Sequence, residues 1–488
     1  MFTKLKHREA AWEALQLLKS TSFSIIYIIF GLTVAIGFVT NSNFFINTDK
    51  AGYIDALNLL ASLLAGIVAT TYSITIVALQ LASTQFSPRV LRYFLSKNLY
   101  TQITLGVFMG WVMYCLLLKF WLIDSLPAEQ TTVPEEMIIF LDIAIYGCIF
   151  LTAGLLPHFI VTIADNINVA SIVRKIALHT IDEIQEAKLF WQHQEEIPHR
   201  IQHPQKIAIH SRSFGYLQSI DYEELRKISL IKGVELIEQV HDVGSFVQRD
   251  AVLVNVVLSD PKIFSSIEKR ILRTCRIDKF RSYHQDLNFG IRQLVDIALK
   301  AISPAVNDPT TAVNALDYIG EIAKEIMQAN MPVSGHTRWK GHNLYLNEVS
   351  FKRIINQSFD QIYHYGRTDF AVTARLFDTI AKIIPAAHKN QYLEVLGDEI
   401  VELGLDFNYQ YIQGTLSQAY SFEQLVRLLK IILRVIENIQ EKSKQNQQPP
   451  LSQHLQERLS LVARMCKQSI EHIQNFDFLK LKAQTLPP

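Results

Sequence analysis

Four long apolar stretches in the first third of the chain limit the folds that it can adopt. They cover residues 23–41, 57–83, 102–123 and 137–161. A helix needs about 20 apolar residues to cross the hydrocarbon core of a bilayer. The sequence therefore predicts a four-span transmembrane helical bundle over residues 23–165, with an amphipathic cytoplasmic helix before it over residues 1–22.

Basic residues near the ends of these stretches predict their orientation. They precede the first stretch and follow the second and the fourth, whereas the two opposite loops carry only Lys50. The residues are Lys4, Lys6, Arg8, Lys19, Arg89, Arg92, Lys97, Arg174 and Lys175. Because loops rich in Lys and Arg remain in the cytoplasm, we expect a multi-pass protein of the plasma membrane with both termini in the cytoplasm.

The second stretch carries small and polar residues at helical spacing. They are Asn58, Ser62, Gly66, Ser73, Gln80 and Thr84. Polar groups are costly against hydrocarbon, so this face must contact protein or water. It is either a tight seam between helices or the wall of an aqueous pathway. Arg89 and Arg92 follow it and are expected at an inner mouth or at the depth of the lipid headgroups.

The rest of the chain has an ordinary aqueous composition and predicts a cytoplasmic α+β half. We expect a helical extension and linker over residues 166–206, a small β-rich module over 207–258, and a helical domain over 259–488. The fold class is thus mainly α. Pro198 and Pro204 break any helix among the nearby histidines, so no metal site is expected there.

The stretch AISPAVNDPTTA (301–312) interrupts a long helical pattern. Ser303 and Asp308 each precede a proline, which is typical of helix starts, and Asn307 suits the turn between them. The stretch is read as a joint between helices, with ligand contact at Thr310 or its neighbours as the alternative. Upstream, Asp286, Gln293 and Asp296 form either a structural polar network paired with arginines or part of a ligand site.

Two segments resemble the signatures of one bacterial family. LASTQFSPRVLRYF follows the second stretch, and RSYHQDLNFGIRQLVDIALKAISPAVNDPTTA begins at Arg281. Together they resemble a family of predicted membrane proteins known as domain of unknown function 2254. The resemblance covers nearly the whole chain and implies four amino-terminal spans with a cytoplasmic half. It carries no activity with it.

Composition and motifs limit the classes of function that the chain can have. The 47 basic and 46 acidic residues nearly cancel, so no nucleic-acid partner is expected. The sequence has no P-loop, GxSxG, HExxH or kinase motif, which argues against an enzyme and gives no cofactor. We therefore expect a homo-oligomeric ion channel or transport-type pore in the lipid bilayer, conducting a small ion and regulated by its cytoplasmic half. The alternative is a membrane-anchored sensor or scaffold that binds a ligand or protein through that half.

Overall fold

The computed structural model describes residues 49–85, 99–127, 131–197, 205–446 and 449–485. The chain forms two compact units, Met1–Ser171 and Ile172–Pro488. We refer to them as the amino-terminal unit and the carboxyl-terminal unit. Helices dominate both, as the sequence predicts.

The amino-terminal unit contains apolar helices. They are α1 (Lys50–Gln85), α2 (Leu99–Ser125), α3 (Glu135–Phe150) and α4 (Leu156–Ile167). Three segments are long and apolar enough to cross a membrane, namely Lys50–Val77, Ile103–Ser125 and Glu136–Thr162. They match three of the four predicted spans. The remaining span, 23–41, and the helix over residues 1–22 lie outside the described residues, so the count of four stays a prediction.

An apolar seam joins α1 to α2 and α3. Along α1, Tyr53, Leu57 and Leu64 are buried at spacings of four and seven residues. On α2 they meet Cys115 and Leu122 among others. This is the periodicity of one helix face, and it leaves the opposite face of α1 exposed.

A single π-helical turn, Leu151–Leu155, connects α3 to α4. The amide of Leu156 donates to the carbonyl of Leu151, which is the wide spacing of a π turn. Pro157 follows immediately and has no amide hydrogen to donate to the preceding turn. The helix therefore widens locally just before Pro157.

The carboxyl-terminal unit contains most of the secondary-structure elements. Its helices begin with α5 (Val169–Trp191), which crosses the boundary between the units, and continue as α6 (Tyr222–Ser229), α7 (Phe264–Thr274), α8 (Leu287–Ala301), α9 (Pro309–Gln328), α10 (Phe351–Gly366), α11 (Phe370–Ile383), α12 (Asn390–Ile412), α13 (Thr415–Ala419), α14 (Phe422–Gln445) and α15 (Gln453–Thr485). The helices from α8 onward pack mainly on one another. Their buried faces are rich in Leu, Ile and Phe.

Two sheets lie in the same unit. The strands are β1 (Gln194–Glu196), β2 (Ile207–His210), β3 (Gly215–Ile220), β4 (Val234–Gln239), β5 (Phe246–Val247), β6 (Val252–Leu258), β7 (Cys275–Asp278), β8 (His336–Trp339) and β9 (Leu344–Asn347). The larger sheet has the order β1-β8-β9-β4-β6-β2, and the smaller has the order β5-β3-β7. The pair β4–β9 is parallel and the other pairs are antiparallel.

The larger sheet extends beyond the predicted β-rich module 207–258. Three of its strands, β1, β8 and β9, come from outside that range. The segment 259–488 is consequently not purely helical, because it supplies β7, β8 and β9. These strands have only four residues each, which is too short for a clear alternating pattern in the sequence.

Aspartates begin several of the helices as N-caps. Asp221 accepts a hydrogen bond from the amide of Glu224 at 2.9 Å and starts α6. Asp286 accepts from the amide of Phe289 at 3.1 Å and starts α8. Each carboxylate satisfies an amide that would otherwise lack a partner at the start of its helix.

Candidate functional site

A partly enclosed pocket of about 230 Å³ lies within the carboxyl-terminal unit. It is bounded by α5, the segment before α8, the start of α6 and the residues after β9. Its lining residues are Glu183, Glu186, Ala187, Phe190, Trp191, Tyr222, Val243, His284, Gln285, Asp286, Leu287, Met331, Glu348 and Val349. Carboxylates and aromatic rings thus share one cavity.

One corner of the pocket is acidic and also contains an imidazole. Glu183 and Glu186 lie one turn apart on α5, and His284 approaches from the segment before α8. Their potential ligand atoms all lie within 4.8 Å of one another. The distance from His284 Nδ1 to Glu183 Oε2 is 3.9 Å. Two carboxylates and an imidazole can hold a divalent metal ion such as zinc or manganese.

Gln285 fixes the backbone that carries His284. Its backbone φ is +61°, in the left-handed region that residues other than glycine rarely adopt. The Gln285 side chain donates to the carbonyl of Ile220 at 3.1 Å and accepts from the Ile220 amide at 2.9 Å. Its own amide donates to Glu183 Oε2 at 3.1 Å. These three bonds stabilise the strained residue and hold His284 next to α5.

Asp286 is buried at the inner edge of the pocket. Arg281 donates to both of its carboxylate oxygens, at 2.8 and 2.7 Å. Burial raises the pKa of Asp286, while the bonds from Arg281 oppose this rise. Gly244, with φ +89°, packs so closely that a Cβ there would overlap the Asp286 carboxylate. The pairing with Arg281 neutralises Asp286, so it adds little net charge to the pocket.

The opposite wall combines aromatic rings with Glu348. The rings of Phe190 and Tyr222 make a tilted contact, with their centroids 4.4 Å apart and their planes at 36°. The indole of Trp191 donates to Glu348 Oε2 at 2.7 Å. Burial raises the pKa of Glu348, and the bond from Trp191 works against this rise. Burial, followed by the charge of Glu348, also raises the pKa of Tyr222.

The Glu348 carboxyl is buried among polar side chains. Besides the bond from Trp191, hydrogen bonding from Gln194 and Thr337 lowers its pKa against the rise that burial causes. Buried polar groups are nearly always paired in proteins, and these three side chains hold the carboxyl at the pocket wall.

The net character of the pocket is negative and aromatic. Glu186 and Glu348 form no ion pair in the described residues, and the basic group near Glu183 is the imidazole of His284. Uncompensated carboxylates attract cations, and aromatic faces add a favourable interaction with an ammonium group of about 0.5–2 kcal/mol. The arrangement therefore suits a small cationic ligand.

Only one of the predicted carboxyl-terminal site residues, Asp286, reaches this pocket. Gln293 is buried below it and receives a hydrogen bond from the hydroxyl of Tyr283. Asp296 pairs instead with Arg292 on the same helix at 2.7 Å. The two predicted carboxylates thus have separate arginine partners, which matches the polar-network alternative.

Local hydrogen bonds hold the joint 301–312 in place. Asp308 accepts from the amide of Thr311 at 3.1 Å and starts α9. Asn307 has a φ of +50°, as suits the turn. The prediction that Ser303 acts as an N-cap is wrong, because its hydroxyl donates back to the carbonyl of Lys300 at 2.6 Å. Thr310 is exposed at the first turn of α9.

The small and polar residues of α1 lie mostly on its outer face. Ser62, Gly66, Ser73 and Gln80 are exposed, and Asn58 is half-buried. A Cβ on Gly66 would meet no described atom within 4 Å. Thr84 lies near the end of α1, and Arg89 and Arg92 lie outside the described residues. In the described structure the stripe is therefore not the seam between α1 and α2.

Sequence reasoning missed the residues that make the pocket. Glu183 and Glu186 read as ordinary charged positions of an exposed helix, and His284 lies far away in the sequence. The close approach of α5 and α8 brings them together. Gly290 on α8 permits it, because a Cβ there would overlap the hydroxyl of Thr180 on α5. Gly290, in the motif that begins at Arg281, was the one signal of this close packing in the sequence.

Comparisons with known proteins extend these observations. The model of a family described as "Predicted membrane protein (DUF2254)" matches residues 14–382. The uncharacterized protein Rv1290c of Mycobacterium tuberculosis is 25% identical over 352 residues, as is the uncharacterized protein Mb1321c of Mycobacterium bovis. Each match covers 67% of this chain but 64% of the relative, less than two thirds of its length. No solved structure matches the chain.

Proposed function

Since the chain belongs to the DUF2254 family of predicted membrane proteins, we propose that it is a membrane-anchored sensor that binds a small organic cation. The binding site is the pocket of the carboxyl-terminal unit. The observation that carries the proposal is the acidic and aromatic lining of this pocket, in which Glu183, Glu186 and Glu348 lie with Phe190, Trp191 and Tyr222. An ammonium group in the pocket would interact with these carboxylates and with the aromatic faces.

The remaining walls support the same ligand class. Trp191 holds the Glu348 carboxylate in place through its indole N–H. Phe190 and Tyr222 supply aromatic surface, and Glu183 and Glu186 add negative charge at the far corner. A ligand with an ammonium group at each end and a short apolar body between them would use all three features.

Orientation is part of this proposal. The bias of basic residues supports a carboxyl-terminal unit in the cytoplasm of a plasma-membrane protein, where it would sample intracellular ligands. If an impermeant thiol reagent outside intact cells labelled an Asn307→Cys variant, this orientation would be wrong.

Ligand binding can be tested with the purified full chain in detergent, using putrescine as the diamine probe and titration calorimetry as the measurement. We expect saturable binding and a higher midpoint of thermal unfolding. Glu348→Gln should weaken binding at least roughly tenfold, because a hydrogen bond to a charged group contributes about 1.5–3 kcal/mol.

The matched control is Glu321→Gln, which removes an exposed glutamate of α9 that pairs with Lys324. This variant should bind putrescine like the wild type. Equal affinity of the wild type and Glu348→Gln, or no binding of putrescine by the wild type, would count against the diamine site.

A second candidate function is an oligomeric pore, which the exposed stripe of α1 favours. Ser62, Gly66, Ser73 and Gln80 lie on the exposed face of a helix that is long and apolar enough to cross a membrane. Such a face is costly against acyl chains. In a homo-oligomer, copies of this face would surround an aqueous pathway for a small ion, with the carboxyl-terminal unit as its regulator.

The pore predicts ion flux from liposomes that contain the purified protein. Ser73→Trp should reduce this flux severalfold or more, because the indole would fill the pathway that Ser73 lines. The control is Ile74→Trp, the neighbouring exposed residue on a different side of α1. Flux that is absent, or reduced equally by both changes, would favour the sensor without a pore.

A further inference from the structure

Two acidic side chains meet between α10 and α12, among residues that do not line the pocket. Asp360 belongs to α10 and Glu399 to α12. Glu399 is only 2% exposed, and neither of its carboxyl oxygens accepts a hydrogen bond from an N–H or hydroxyl donor in the described residues. Its hydrogen-bond partner is the carboxyl of Asp360. Two carboxyl groups can bond in this way only when they share a proton.

The surrounding charges do not neutralise the pair. Glu402 lies one turn further along α12 and adds negative charge, while Lys352 on α10 adds positive charge. Lys352 also pairs with Asp398 at 3.5 Å, and Arg458 of α15 contacts the same carboxylate at 3.0 Å. Burial and then the charge of Asp360 raise the pKa of Glu399 to about 9. An excess of negative charge therefore remains at the pair.

Solvent reaches the pair through Asp360. Its side chain is half-buried and lines two open grooves of about 430 and 470 Å³. A cation reaches the pair through the first groove, which is also lined by Glu402 and by the ion pair of Asp406 with Arg367. Arg292, Lys352 and Arg353 line the second groove, which therefore does not favour a cation. The buried Glu399 lies next to Asp360.

We propose that the Asp360–Glu399 pair is a binding site for one divalent metal ion. The ion takes the position of the shared proton, which is released to solvent, and both carboxylates then bind the metal. Carboxylate oxygens are preferred ligands of calcium, magnesium and manganese. The two groups supply up to four oxygens, and water from the groove can complete the coordination. This site is independent of the proposed pocket for an organic cation.

Equilibrium dialysis of the full chain in detergent against Mn²⁺ at pH 8 tests the proposal directly. We expect Glu399→Gln and Asp360→Asn each to lose one bound equivalent relative to the wild type. Glutamine keeps the size of the side chain and can donate to Asp360, so the variant should fold. Its thermal midpoint in metal-free buffer verifies this, and the more exposed Asp360→Asn provides a second variant.

The control variant Glu321→Gln removes a surface glutamate that pairs with Lys324. It should retain the equivalent of Mn²⁺ that Glu399→Gln loses. Unchanged stoichiometry in Glu399→Gln and Asp360→Asn would overturn the proposal, as would loss of the same equivalent in Glu321→Gln.

The pH dependence gives a second signature. Because each ion displaces one proton below the folded pKa of about 9, the affinity for Mn²⁺ should rise roughly tenfold per pH unit from pH 6 to 8. In metal-free buffer, a carboxyl whose pKa is raised on folding stabilises most at low pH, and this contribution is lost as the pH rises towards 9. If the wild type has this stability profile but binds no Mn²⁺, the two carboxyl groups share a proton without binding metal. That result would overturn the proposal.

Discussion

Replacing Asp286 by alanine is expected to lower the free energy of unfolding of the carboxyl-terminal unit by about 3–5 kcal/mol. The change removes both hydrogen bonds from Arg281 and leaves a half-buried guanidinium without its carboxylate. It also removes the N-cap of α8, a contribution of about 1 kcal/mol in typical proteins. The space that the missing carboxylate leaves next to Gly244 lowers the free energy of unfolding further.

The measurement is the thermal midpoint of the purified full chain in detergent, followed by tryptophan fluorescence. We expect a fall of roughly ten degrees. The control is Asp317→Ala, which breaks an exposed ion pair with Arg375 at 3.1 Å. Exposed pairs contribute about 0–1 kcal/mol, so this variant should melt within a few degrees of the wild type. Equal midpoints for the two variants would show that the buried pair is not a stabilising element.

Gly147→Ala is expected to destabilise the amino-terminal unit by about 1–3 kcal/mol or more. A Cβ at Gly147 on α3 would overlap the indole ring of Trp111 on α2. That ring cannot simply rotate away, because its N–H donates to the carbonyl of Ala144 at 3.1 Å. The added methyl group must therefore separate the two helices or break this bond.

Gly110→Ala is the matched control for this substitution. A Cβ at Gly110, on the same α2, would meet no described atom within 4 Å. Size-exclusion chromatography after stepwise heating in detergent would compare the two variants. We expect Gly147→Ala to lose its monodisperse peak at a lower temperature than the wild type, and Gly110→Ala to keep it. The reverse order would mean that the Gly110 face, rather than the Trp111 contact, carries the packing.

Local signals allowed much of the fold to be predicted. The apolar stretches predicted three helices of spanning length that the structure describes. Asp308 marked the start of α9. In each case the information lies within a few neighbouring residues, since capping and burial of one helix face act over one or two turns. The pairing of Asp286 with an arginine could be predicted for the same reason, because Arg281 is close to it in sequence.

The unpredicted features all depend on contacts between distant segments. No local pattern indicates that β4 would pair with β9, or that β1 would pair with β8. Glu183 and His284 share a corner only because α5 and α8 pack closely. Likewise, Glu399 lies within an apolar helical pattern, and its sequence neighbours do not reveal that it faces Asp360. Such sites require the three-dimensional structure because their chemistry arises from tertiary packing.

The widened turn at Leu151–Leu155 alters how the last span should be read. A π turn adds one residue to the local winding, and each residue of an α-helix advances by roughly 100°. Side chains beyond Leu155 are therefore turned by about that angle from where a continuous helix drawn from Glu135 would put them. Side chains before and after the π turn therefore face different directions around the helix axis. Any surface used for assembly along this helix consists of two offset patches rather than one straight stripe.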